Sequence, residues 1–547
     1  MTRTCNRREM LKLTGRLVVA GAVGPNIAFA AESETTDSQG LVAGQLSGAE
    51  VGNKVLREGG NAVDAAVAAA LTAAVAVPNG CGIGGYGGHM VIAAAGGKKI
   101  TAIDFNTAAP AAARPNMFPI DERGTVRGRI NEHGWLSAGV PGTLAGLQLA
   151  LDRYGTRSFR ELVAPAIRLA EEGFPVSEGL ARAIRAVAKQ LRQDPASAKL
   201  LLKEREPLQA GDRLRNPDLA RLLETLARKN SVEAFYRGGI ARQIAEGFQK
   251  HGGLVTAEDM AAYQAREVEP LELNCGNFTL RTAPLTAGGL TVLEALSILQ
   301  KLNWDKRPST SARTHAVIEA LRVAWNDRLR LLGDPDQAAM PVERLLSEEH
   351  ALNTAAKIEA AIKDHKPLPL KTEAQQQTGT VHLNAADREG NMVALTLTHG
   401  NTFGACVAVE GLGLILGHGM SRFSPWPGHP NSPGPGKRPL HNMCPSIVLR
   451  DGKPILALGG TGGRMIPDAV FTVLARFVGL GASLEDAIAA PRAHTEGGLD
   501  LTVERNWPAV EVEFFRGLGY VLKFGNSANV HAILVNHQTG ACRSAAR

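Results

Sequence analysis

The chain has 547 residues, 44% hydrophobic and 21% charged, a balance that excludes a largely disordered polypeptide and supports a layered core. The formal net charge is +7, but residues 1–30 carry Arg3, Arg7, Arg8, Lys12 and Arg16 against Glu9, so only about +3 belongs to the remainder. That charge, without any basic run interleaved with aromatics, argues against a nucleic-acid partner.

Residues 1–30 read as a leader. Asn6-Arg7-Arg8-Glu9-Met10-Leu11-Lys12 resembles a twin-arginine export motif, Leu17 to Ala28 is weakly apolar, and Ala28-Phe29-Ala30 offers small residues for cleavage. The expected destination is periplasmic or secreted. From Gln39 to Val77 a short strand and a helix are expected, with the helix start at Gly59-Gly60-Asn61-Ala62-Val63-Asp64. The apolar run Ala62 to Val77 ends at Pro78, too short to span a bilayer, so no membrane span is expected. Gly80 to Gly88 forms a glycine-rich turn, and strands are expected over Met90 to Ala95 and Ile100 to Phe105.

From Thr143 to about Leu332 the periodicity is mainly helical. Lys366 to Gln377 is polar and reads as an exposed linker. Two strand-like runs follow, Thr380 to Ala385 and Met392 to Thr398, joined by a turn at Asp387-Arg388-Glu389-Gly390-Asn391. Ser424 to Pro439 reads as a long ordered loop, and Ser446 to Arg450 pairs with Pro454 to Leu458. Cys81, Cys275, Cys406, Cys444 and Cys542 are widely spaced and odd in number, which suits neither a disulfide framework nor a zinc ribbon.

The junction Gly379-Thr380 carries the chemistry. A threonine hydroxyl is a weak nucleophile and needs a base to accept its proton. At a chain N-terminus its own α-amine, titrating near pH ~8, is that base. This requires cleavage between Gly379 and Thr380, by attack of the Thr380 hydroxyl on the Gly379 carbonyl and opening of the ester by water. Without further support, a strand that begins with Thr after a polar linker describes the same residues.

Thr380-Val381-His382 followed by Asp387-Arg388-Glu389-Gly390-Asn391 resembles the opening of the small subunit in gamma-glutamyltranspeptidases. The likeness extends through Gly59 to Ala66, Gly82-Ile83-Gly84-Gly85-Tyr86-Gly87-Gly88, Gly139-Val140-Pro141-Gly142-Thr143, Leu332-Gly333-Asp334-Pro335, Lys437-Arg438-Pro439-Leu440, Gly462-Gly463 and Ala490-Pro491-Arg492. The resemblance implies an α/β (α+β) four-layer αββα sandwich of the N-terminal-nucleophile hydrolase type. It implies self-cleavage into a large subunit, 31–379, and a small one, 380–547, that remain associated. It also implies Thr380 as nucleophile, Thr398 as a second threonine that poises it, and Gly462 and Gly463 as the oxyanion hole. The even spacing of Thr398 from Thr380 puts both on one sheet face, an arrangement that equally suits simple cross-strand packing.

The sequence departs from the family at the amino-acid recognition set. The family's arginine after Asp-Phe falls at Asn106, its hairpin asparagine at Gly400, its glutamine and aspartate at Gly419 and Arg422, and its serine pair at His441 and Asn442. Arginine in place of aspartate repels an ammonium group. The expected donor is therefore an amide whose acyl group bears a carboxylate but lacks the α-amine, oxamate-like or glutaryl-like. Arg422 holds that carboxylate, with help from His441 or His399. The alternatives are a true gamma-glutamyltransferase or glutathione hydrolase, and a non-catalytic binding protein on the same scaffold.

Gly82, Gly84 and Gly87 have dinucleotide-binding spacing, but they follow a helix and precede a strand, the reverse of what that motif needs. His399, His418, His441 and Cys444 make no complete metal-ligand motif. No cofactor or metal is expected.

Overall fold

The computed structural model describes residues 33–35, 40–307, 309–370 and 380–547; residues 1–30 and Gly379 lie outside the described residues. Two sheets dominate. Their strands are β1 (Ser33–Thr35), β2 (Gly40–Gly44), β3 (Gly87–Ala94), β4 (Lys99–Asp104), β5 (Arg266–Val268), β6 (Leu271–Cys275), β7 (Phe278–Thr282), β8 (Val381–Asp387), β9 (Met392–Thr398), β10 (Ser446–Arg450), β11 (Lys453–Thr461), β12 (Asn529–Val535) and β13 (Cys542–Ala546). One sheet runs β2-β8-β9-β3-β4-β5 and the other β1-β13-β12-β11-β10-β7-β6, antiparallel throughout.

The sheets stack face to face over a thin core of small and β-branched side chains. Val91, Ala93, Ala386 and Ala394 from one meet Ile447, Ala457 and Ile533 from the other. Helices α1 (Leu46–Arg57), α2 (Ala62–Ala76), α3 (Thr143–Tyr154) and α4 (Phe159–Glu172) cover the outer face of the first sheet. Helices α5 (Gly289–Lys301), α6 (Thr310–Leu331), α7 (Glu348–Lys363) and α8 (Ile466–Leu474) belong to the layer on the second. The result is the expected four-layer αββα sandwich. No described helix is long and apolar enough to cross a membrane.

Small residues set the spacing of the first helical layer. Every residue of α2 from Ala62 to Val75 is buried, and α1 crosses it through two glycines. A Cβ at Gly48 would lie 2.5 Å from the Ala69 carbonyl oxygen, and one at Gly52 2.9 Å from that of Ala65. Asn61 and Asp64 close a reciprocal cap at the start of α2. Asp387 adds a long-range tie: one carboxylate oxygen accepts from Ala62 N at 2.9 Å and from Asn391 Nδ2, the other from Glu389 N and Asn391 N.

The expected hairpin is present, paired from Val381↔Leu397 to Ala386↔Met392. All residues of both strands are buried, so each packs on two faces. Two expectations need correction. Gln39 to Val77 contains two helices, because Glu58-Gly59-Gly60 ends the first before Asn61 caps the second. The stretch read as helical from Thr143 to Leu332 is interrupted by β5, β6 and β7. The alternation of Leu271-Glu272-Leu273-Asn274-Cys275 is five residues long and is outweighed by helical periodicity on both sides. All five described cysteines are free.

Asp387→Ala removes four acceptor contacts in a buried position, and each orphaned donor costs about 1 kcal/mol or more. We expect a loss of about 2–4 kcal/mol, read as a lower midpoint in urea unfolding, with Asp387→Asn recovering part of it.

Candidate active site

Alternation along the hairpin aims the two threonines. Ala386 on β8, and Met392 and Ala394 on β9, point into the space between the sheets. Thr380 and Thr398 share that parity and therefore that direction. The bonded pair Val381↔Leu397 puts Thr380 opposite Thr398 one step further along. Both are buried. Thr398 Oγ1 accepts from Gly400 N at 2.7 Å, and the Tyr86 hydroxyl hydrogen-bonds to both Thr398 and Arg422. Tyr86 thus joins the threonine pair to a cationic cavity.

That cavity has a volume of about 50 Å³, enough for the few heavy atoms of a carboxylate, and includes Arg328, Arg422, Asn442, Arg464 and Trp325 in its lining. Among the described residues no carboxylate side chain lines it. Arg422 is 6% exposed, and its Nε and Nη1 have no hydrogen-bond partner; Arg464 Nη2 is likewise unpartnered. Arg328 is anchored to carbonyl oxygens, through Nη2 to His441 at 2.5 Å and through Nη1 to Ala287 at 3.3 Å. Burial lowers the pKa of Arg422 and brings that of Arg328 to about 10, and guanidinium groups stay cationic in proteins.

Three buried histidines nearby, His89, His418 and His441, are held neutral. Burial, with Arg422 beside it, pushes His418 well below its usual range. His418 Nε2 accepts from Asn401 N at 2.7 Å, so its proton sits on Nδ1, donated to Glu132 O at 3.0 Å. His441 Nδ1 accepts from Met443 N, so Nε2–H donates to His89 Nδ1 at 2.9 Å. His89 Nε2 in turn lies 3.4 Å from Asp104. Burial drives His441 far down and His89 to about 4. Burial would raise Asp104, but His89, Arg438 and Arg266 together hold it well below the carboxylate range.

Not every expected residue reaches the cavity. Asn442 and Arg422 both line it. Gly400 sits beneath the His418 ring, where a Cβ would meet ring atoms at 2.1 Å, and a Cβ at Gly419 would meet Thr107 Cγ2 at 2.3 Å. The two glycines are therefore positions from which no side chain projects without displacing these neighbours. Asn106 is fully buried and spends its amide protons on Thr286 Oγ1 and Pro439 O, both at 2.7 Å, outside the cavity lining. His441 contributes its carbonyl to Arg328 and its ring to His89. His399 lines a different, apolar cavity behind Gly82. Sequence reasoning missed Tyr86, Arg328 and Arg464. Tyr86 had a signal as the one aromatic side chain inside a glycine run, and Arg464 as the residue after the glycine pair.

Gly462 and Gly463 follow β11, which stacks on the hairpin; the space beside Gly459 is filled by the His382 ring. Both glycines have positive φ, +145° and +64°, and a Cβ at Gly462 would collide with Ala528 at 2.7 Å. Just beyond them, Arg464 pairs with Glu496 at 2.6 Å and lies over the Trp325 ring. Glu496 and Asp468 flank His494, 3.4 and 3.0 Å away. Burial alone would lower His494, but the two carboxylates outweigh it and raise it to about 9. A raised histidine pKa contributes stability that is complete below about 6.5 and fades as pH rises through about 9. The melting temperature should therefore fall between pH 7 and 10, and His494→Gln should flatten that limb in calorimetric scans.

The gamma-glutamyltranspeptidase family profile matches residues 48–547. A glutathione hydrolase proenzyme of Escherichia coli (strain K12) is 37% identical over 474 residues, 83% of this chain and 81% of the relative. The acylase ACY 1 proenzyme of Pseudomonas sp. (strain SE83) is 34% identical over 456 residues, 82% of this chain and 81% of the relative. Cephalosporin acylase from Bacillus halodurans has the same architecture, with a TM-score of 0.82, 27% identity and 97% of each chain covered. With its two stacked sheets and a family match over residues 48–547, the chain belongs to the gamma-glutamyltranspeptidase family of N-terminal-nucleophile enzymes, hydrolases and acyltransferases that act on amide bonds.

Proposed function

We propose that the chain cleaves itself between Gly379 and Thr380 and then hydrolyses amides whose acyl group carries a carboxylate and no α-amine. The observation that carries the donor assignment is Arg422, buried with two unpartnered guanidinium nitrogens in a cavity without acidic side chains. A buried cation with free donors is costly unless an anion meets it. A glutaryl-like or oxamate-like carboxylate satisfies Arg422 bidentately, with Arg464 and Asn442 as further donors. An α-ammonium group finds no carboxylate to receive it there.

The chemical steps follow from the hairpin. The α-amine of Thr380, released by cleavage, takes the hydroxyl proton while the oxygen attacks the amide carbonyl. The backbone amides of Gly462 and Gly463 receive the developing negative oxygen, and the Thr398 hydroxyl holds the nucleophile. Collapse expels the amine with the proton from the Thr380 ammonium, leaving an ester on Thr380 Oγ. Water then opens that ester. The large subunit is 31–379 and the small one 380–547. The leader 1–30 directs twin-arginine export to the periplasm or beyond.

A second reading, glutathione hydrolysis, draws on the name of the Escherichia coli relative. It requires a carboxylate for the donor amine, and the arginine cavity lacks one.

Thr380→Ala should abolish both self-cleavage and turnover, read by denaturing mass spectrometry and a donor assay; a small chain still beginning at residue 380 would refute the nucleophile. Arg422→Ala should raise KM for a glutaryl amide about 10–100-fold, the worth of a charge-assisted pair, and leave self-cleavage intact. A wild-type enzyme that prefers γ-glutamyl over glutaryl amides would overturn the donor assignment.

A further inference from the structure

Away from the arginine cavity, three helices bring together Glu294 on α5, Asp327 on α6 and His350 on α7. Their ligand atoms all lie within 4.8 Å of one another, and among the described residues no other group of three such side chains does so. His350 Nε2 is 3.0 Å from Glu294 Oε1 and 3.9 Å from Asp327 Oδ2. Ligand atoms at about 2.0–2.2 Å from a small cation are themselves about 3–4 Å apart, so the spacing suits coordination.

Glu294 is fully buried, yet its Oε2 has no hydrogen-bond partner. A carboxylate oxygen so placed, beside a second carboxylate, is satisfied by a cation or by a proton between them. The third side of the cluster is open. Asp327 and His350 line a groove of about 870 Å³, wide enough to admit water as further ligands. Arg344 and Lys357 also line the groove, but both are solvent-exposed, so water screens their repulsion.

We propose that Glu294, Asp327 and His350 bind one divalent transition-metal cation, of the zinc or manganese kind, as a clamp joining α5, α6 and α7. The imidazole nitrogen selects against calcium and magnesium, which prefer oxygen ligands. The two carboxylates cancel the dication's charge. Asp327 immediately precedes Arg328, so the clamp fixes the turn of α6 that feeds the arginine cavity.

The test uses the whole mature protein without a histidine tag, stripped with chelator and titrated with zinc, manganese and calcium chlorides by calorimetry and thermal melting. One equivalent of zinc or manganese should bind with a micromolar or tighter Kd, and the melting temperature should rise by several degrees. His350→Ala and Asp327→Asn should weaken binding at least tenfold. Glu294→Gln, whose amide can donate to Asp327, should keep the metal-free melting temperature and lose the metal-induced rise. Absence of stoichiometric binding, calcium binding as tight as zinc, or zinc affinity unchanged in the variants would each overturn the proposal. The first of these results, with a neutral Glu294→Gln, would assign the charge between the carboxyls to a proton.

Discussion

The ladder between β8 and β9 is the constraint on which the rest of the structure depends. Both strands are buried on two faces, so a slip of one residue would turn every side chain onto the wrong surface. The register fixed by this penalty sets Thr380 opposite Thr398 and directs both between the sheets. The polar side chains that share this face are satisfied locally: His382 bonds to Thr396 and Asn384, and Asn384 to the His531 carbonyl. A buried polar strip of this kind is tolerated only because each member has a partner.

Around the hairpin, charge is arranged by burial more than by pairing. His89, His418 and His441 are neutral because water is excluded from them, and their hydrogen bonds fix which nitrogen carries the proton. The arginines do not neutralise in this way, so Arg328, Arg422 and Arg464 keep their charge in the cavity lining. This asymmetry gives the cavity one sign of charge. It also explains why Tyr86 matters, since its hydroxyl is a neutral link between a cationic wall and a hydroxyl pair.

Much of this arrangement is legible in the residues. Val381 to Thr398 reads as a hairpin because alternation and the Asp387–Asn391 turn agree, and the family motifs place Thr380, Thr398 and the glycine pair. The cavity is harder to read. Arg422 stands out against the family's aspartate, but Arg328 lies in a long helix of mixed charge, and only its packing against the loop from Ser424 to Pro445 brings it to Asn442. Asn106 and His441 occupy family recognition positions by order along the chain, yet their side chains are spent on Thr286, Pro439 and His89. Position in a motif does not reveal where a side chain finds its partner when that partner is more than a hundred residues away.

The interleaving of the strands has a consequence for the lifetime of the molecule. Residues on either side of 379 alternate within both sheets: β8 lies between β2 and β9, and β10 pairs with β7. Two polypeptides woven together in this way share hydrogen-bond ladders instead of a docking face. Neither could leave without tearing both sheets apart, so a cleaved molecule would not exchange its halves with its neighbours, however dilute the solution.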